Sequence, residues 1–126
     1  SIKQLAKENG WVIVGVSSIN RSNYLQPIEF ESFKESGGIE YTADIVLGLQ
    51  YECVHERLFS EDGRINAKRD RLNQQRLAKE RPLELVCLKN RNGRVGWGCL
   101  LGFVCEHRTF VEWEKDTKKE PLEKRL

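Results

Sequence analysis

Trp11-Val12-Ile13-Val14-Gly15-Val16 is an unbroken apolar run, rich in β-branched side chains, of the kind expected for a strand covered on both faces in a parallel sheet. Just upstream, Ile2, Leu5 and Ala6 recur at helical spacing over Ser1 to Asn9, and Gly10 stands where a left-handed C-terminal cap belongs. A helix that feeds such a strand is half of an α/β unit, and the fold class expected is therefore α/β. Polar residues follow the run at once: Ser17, Ser18, Asn20, Arg21, Ser22 and Asn23. In open α/β sheets the loops beyond the carboxyl ends of strands are where ligands bind, which makes this junction the first candidate for chemistry.

Further along, 26–38 carries a proline, a glycine pair and several charges and reads as loop with a short helix. Ala43 to Tyr51 (ADIVLGLQY) is a second apolar strand. Arg64 to Arg81 holds seven basic and two acidic residues among good helix formers and stops at Pro82, so it reads as a long exposed helix with a thin apolar face of Ile65, Leu72, Leu77 and Ala78. Leu83 to Lys89 then forms one arm of a hairpin, Asn92-Gly93 its turn, and Val95 to Cys105 its return strand, which puts Lys89, Arg91 and Arg94 near the tip. Beyond Trp113 the sequence is almost entirely charged and is expected to be a flexible tail, 114–126. Neither an internal repeat nor a linker divides the chain.

At 126 residues the chain suits one domain able to bury roughly two thirds of its unfolded surface. Its charged fraction of 32% exceeds the ~25% usual for soluble domains, so a heavily solvated surface is expected. No apolar run approaches the ~20 residues that cross a bilayer, and Ser1 to Asn9 lacks the order of a secretion signal. The expected setting is the cytoplasm, with no membrane partner. A formal charge of only +2 means that any affinity for nucleic acid must come from local clusters of Lys and Arg. Cys53, Cys87, Cys99 and Cys105 form no C-x-x-C pair and read as reduced thiols. The two Cys-x-His pairs, Cys53/His55 and Cys105/His107, would supply four zinc ligands only if they met in space, and their one-residue gap is tighter than usual; no metal site is expected.

Three segments occur in order: Ser17-Ser18-Ile19-Asn20-Arg21; Lys34-Glu35-Ser36-Gly37-Gly38-Ile39-Glu40 with Ala43-Asp44; and Lys89-Asn90-Arg91-Asn92-Gly93. Together they resemble the last motifs of the DnaB-type replicative DNA helicases, whose motor domain is RecA-like. The resemblance covers about 1–103, with 58–82 standing out as a basic insertion. It implies the C-terminal portion of a RecA-like sheet with flanking helices and a β-hairpin, a partial motor domain over 1–113.

The resemblance also implies a hexameric ring of identical subunits with ATP and Mg²⁺ between neighbours. Lys89 and Arg91 match the hairpin pair that reaches the phosphates held by the adjacent protomer. Residues two apart on a strand share a face, and two cations so presented offset charge building on a transferring phosphoryl group. The residue types alone, without the neighbouring motifs, better suit a solvated hairpin end. Lys34, Glu35 and Gly37 match the channel loop that touches the backbone of single-stranded DNA; Lys34 stands where better-known members carry Arg, so a bidentate contact becomes a point charge. Ser18 stands where the family has a phosphate-sensing glutamine, and its short hydroxyl leaves Asn20 and Arg21 as the nearest candidates for that role.

No G-x-x-x-x-G-K-[ST] occurs in the sequence, and no apolar strand ending in Asp precedes the motifs. The chain is therefore expected to be a segment of a longer helicase and inactive as an ATPase by itself. Two alternatives stand beside the helicase: a nucleic-acid-binding module that relies on the basic helix, and a regulatory RecA-like paralogue, which the serine at position 18 favours.

Overall fold

The computed structural model describes residues 1–19, 24–33 and 38–113. The chain is mixed α/β, with helices flanking a four-stranded sheet whose order is β1-β2-β3-β4: Ile45–Tyr51, Glu80–Asn90, Gly98–Val104 and Thr109–Glu112. Every pairing is antiparallel. The parallel arrangement expected from the sequence is thus replaced by a meander in which each strand pairs with its successor.

The helix α1 (Ile2–Asn9) forms where its spacing places it. The Ser1 hydroxyl accepts the Gln4 amide hydrogen at 3.3 Å, and Gly10 closes the other end at φ 64°, a left-handed conformation that glycine takes without a Cβ penalty. The apolar run that follows is not a strand. Among the described residues its backbone pairs with no sheet partner, and Val12, Val14 and Val16 are 94%, 84% and 99% exposed. An apolar run becomes a buried strand only when neighbouring strands supply a ladder, and among the described residues none pairs with this one.

The second strand candidate is realised as β1. Its residues alternate, with Val46 and Gly48 turned inward and Ile45, Leu47 and Leu49 outward, so only one face is covered. Ile28, Phe33 and Val46 form a small core, with Ile19, Phe30, Ala43, Val86 and Leu88 packed against it. Phe30–Phe33 makes the short helical turn foreseen in 26–38, as a 3-10 helix. Gly48 is required here, because a Cβ would lie 2.8 Å from Ile28 Cγ2. Ile28 N–H also donates to Gln50 Oε1 at 2.7 Å, which ties the loop to β1.

After β1, a 3-10 turn (Glu52–His55), α3 (Arg57–Ser60) and α4 (Ile65–Arg76) make a second packed group around Cys53, Val54 and Phe59. Together with α2 (Ile39–Thr42), these complete the helices among the described residues. The basic helix ends earlier than its composition suggests: Glu80, Arg81 and Pro82 belong to β2. Proline is tolerated there because β1 pairs only as far as Leu83, so at Pro82 the strand has a neighbour on one side alone. No helix among the described residues is long and apolar enough to cross a membrane.

Candidate functional site

The β2–β3 hairpin is present, but its connection is longer than the two-residue Asn92-Gly93 turn. Cys87 is the last residue of β2 bonded toward the return arm: it donates to the Trp97 carbonyl at 2.9 Å and its own carbonyl accepts from Gly96 N–H at 3.0 Å. Gly96, at φ 79°, supplies the left-handed residue of the turn. Leu88 to Asn90 therefore runs on beyond the hairpin ladder and pairs with β1 alone. A bulge lies here, since Val46 faces Lys89 while the next residue, Leu47, faces Cys87. Leu88 is the extra residue, and it packs on the core of Ile28, Phe33 and Val46.

This overshoot sets the environment of the two hairpin cations. Lys89 lies opposite Val46, half-buried, and its Nζ donates to the Tyr41 carbonyl at 3.3 Å. Arg91 continues the ladder by one bond, from its N–H to the Asp44 carbonyl at 2.9 Å. Its Nη1 donates to Asp44 Oδ1 at 2.7 Å, and Lys3 Nζ stands 3.7 Å from the same carboxylate oxygen. Lys89 and Arg91 are thus brought together against 41–44, Lys89 near the end of β2 and Arg91 in the turn that follows it, and Arg91 is exposed. Neither is packed into the core.

Of the other sequence candidates, Ser18 lies among the described residues. Ser18 is exposed, and its carbonyl accepts from the Ser17 hydroxyl at 3.5 Å. Asn20, Arg21, Lys34, Glu35 and Gly37 lie outside the described residues. Asp44 belongs to the second motif, but its partnership with Arg91 is a contact that the spacing of the motifs does not announce.

Two arginines of the basic segment, Arg64 and Arg71, are paired with carboxylates that precede α4. Arg71 is bidentate on Glu56, its Nε 2.8 and 3.0 Å from the two carboxylate oxygens, and this hydrogen bonding raises the guanidinium pKa further. Arg64 Nη1 pairs with Glu61 Oε2 at 2.9 Å. Lys68 is buried and donates to the Glu61 carbonyl at 2.6 Å, while Gln75, also buried, accepts the Cys53 amide hydrogen at 3.2 Å. With so little apolar surface, this helix docks through polar side chains.

Beneath it, burial pushes the Cys53 thiol up to about 12, so Cys53 is neither a nucleophile nor a thiolate ligand near neutrality. His55 is hydrogen-bonded to Glu84, whose Oε2 also accepts from Gln50 Nε2 at 2.9 Å, and Cys105 Sγ lies 3.6 Å from the Ala78 carbonyl. Among the described residues no group of three or more His, Cys, Asp and Glu side chains is placed to hold a metal, so the two Cys-x-His pairs do not converge.

Fold and site together define a mixed α/β protein that presents two cations at the end of a central antiparallel strand. No family model, curated protein or solved structure matches the chain.

Proposed function

We propose that the chain is the C-terminal part of a DnaB-type, RecA-like replicative helicase motor, and that Lys89 and Arg91 act in trans on the ATP of a neighbouring subunit in a hexameric ring. The observation that carries this reading is the pair of cations two residues apart, Lys89 near the end of β2 where the strand pairs with β1, and Arg91 exposed in the turn that follows. ATP with Mg²⁺, single-stranded DNA and a cytoplasmic setting belong to the same proposal. Lys34, Glu35 and Gly37 are its DNA-contacting residues, and Ser18, Asn20 and Arg21 its phosphate-sensing region. The alternative, a nucleic-acid module built on the basic helix, is less well supported: Arg64, Lys68 and Arg71 are engaged by the main chain or carboxylates of Glu56 and Glu61.

The chemistry asked of Arg91 is electrostatic. A guanidinium supplied to the transferring phosphoryl group stabilises the charge that develops on it and is worth roughly 10³ to 10⁵ in rate. The 126-residue chain alone is expected not to turn over ATP. In the ring formed by the complete gene product, Arg91→Ala is expected to lower DNA-stimulated ATP turnover by at least about 10³ while ATP still binds. A variant that hydrolyses ATP at the unsubstituted rate overturns the proposal.

A further inference from the structure

We propose that Asp44 is a positioning residue that occupies Arg91 in place of phosphate, so that a polyphosphate must displace its carboxylate to engage the guanidinium; the inference rests on the phosphate-contacting reading of Arg91 given above. Carboxylate and phosphate each offer a pair of acceptor oxygens that the planar guanidinium fork can bridge, and Arg91 already spends Nη1 on Asp44 Oδ1 at 2.7 Å. The contact is built in by the backbone. Because the Arg91 N–H bonds to the Asp44 carbonyl at 2.9 Å, the two residues face each other whatever their side chains do.

The pair is also open to exchange. The side chains of Asp44 and Arg91 are 63% and 42% exposed, and exposed ion pairs are weak enough for a multiply charged competitor to replace. Lys3 Nζ, 3.7 Å from the same Asp44 oxygen, gives the displaced carboxylate a second cation to turn toward. Lys89 meanwhile is held on the Tyr41 carbonyl at 3.3 Å, one turn of chain from Asp44. The segment 41–44 thus holds both cations, and the Asp44 contact carries a negative charge that a phosphate would repel.

The test uses linear tripolyphosphate titrated into the 126-residue chain by calorimetry, with Asp44→Asn, Arg91→Ala and the double variant alongside. Asp44→Asn keeps the backbone carbonyl that anchors Arg91, so the strand pairing is retained. It is expected to tighten binding roughly three- to fivefold, and the gain is expected to vanish in the Arg91→Ala background. The Arg91 Nε–Hε resonance is expected to differ between wild type and Asp44→Asn without ligand and to converge at saturation. A gain of equal size in the Arg91→Ala background overturns the inference, since it would reflect the general field rather than this contact. If Arg91→Ala weakens binding and Asp44→Asn does not tighten it, the Asp44 role alone falls. If Arg91→Ala leaves the affinity unchanged, or wild type binds no tripolyphosphate, the phosphate reading of Arg91 fails and the Asp44 role with it.

Discussion

Cys53 has no solvent contact, and its amide is held by a side chain from α4. Ionising its thiol in the folded chain means creating a charge in a site with little water, which lifts the pKa from its ordinary 9.0 to about 12 despite the nearby Arg71. The consequence for stability follows from the sign of that shift. Below pH 9 the thiol is protonated folded or unfolded and its contribution is fully present. Between about 9 and 12 the unfolded chain releases the proton while the folded chain keeps it, so stability falls as pH rises through that window. The difference in stability between wild type and Cys53→Ala, followed by urea unfolding, is therefore expected to shrink from pH 9 to pH 11, at a limiting slope of about 1.4 kcal/mol per pH unit. A pH-independent difference would mean that the thiol is not protected by burial. Cys99, which is exposed, is expected to be alkylated well before Cys53 in the same preparations.

The elements show which sequence signals carry physical weight. The capped helix α1 was legible because Ser1 and Gly10 satisfy its end groups locally, without help from the rest of the chain. The strand β1 was legible too, as an apolar run, whereas the alternation of its buried and exposed residues, which covers one face alone, was not. Asn92-Gly93 located a hairpin but not its length, because the bulge at Leu88 and the positive φ of Gly96 decide where the ladder closes. Trp11 to Val16 misled, as apolar composition reports a tendency to be buried and says nothing about whether a partner strand exists. The role of α4 was hidden for the opposite reason. A count of its basic residues is visible in the sequence, whereas their pairing with Glu56 and Glu61 depends on how α3 and the preceding turn fold back. That pairing leaves Arg69 and Arg76 as the exposed cations of the helix. On the motor reading, neutralising them is expected to leave weak, salt-sensitive binding of single-stranded DNA little changed, while Lys34→Ala is expected to lower it and to flatten the salt slope by about 0.7, the value of one phosphate contact. Abolition of binding by the α4 substitutions, with no effect of Lys34→Ala, would favour the basic-helix module over the motor. Lys34 itself lies outside the described residues, so its part in the site is a reading of the sequence alone.

For the whole molecule the decisive feature is how much apolar surface lies uncovered. Val12, Val14 and Val16 sit beside solvent, and so do Ile45, Leu47 and Leu49 on the outward face of β1. The strand β1 is also the first of the sheet, paired with β2 on one side only. An open edge offers unpaired N–H and C=O groups, and a hexapeptide rich in β-branched residues is a ready partner for such an edge. Both halves of that complement occur in one chain, so a second copy supplies what the first lacks. The isolated chain is accordingly expected to self-associate as its concentration rises from micromolar toward millimolar, read by sedimentation velocity. A lysine at either position opposes such pairing, because its charge must be desolvated at the new contact. Val14→Lys and Leu47→Lys are each expected to shift the transition to higher concentration. Their combination is expected to do little more than either alone, since one contact can be lost only once. A chain that stays monomeric throughout would show that these faces are covered from within by an arrangement other than the one described, and would remove the physical reason for expecting neighbouring subunits at the end of β2.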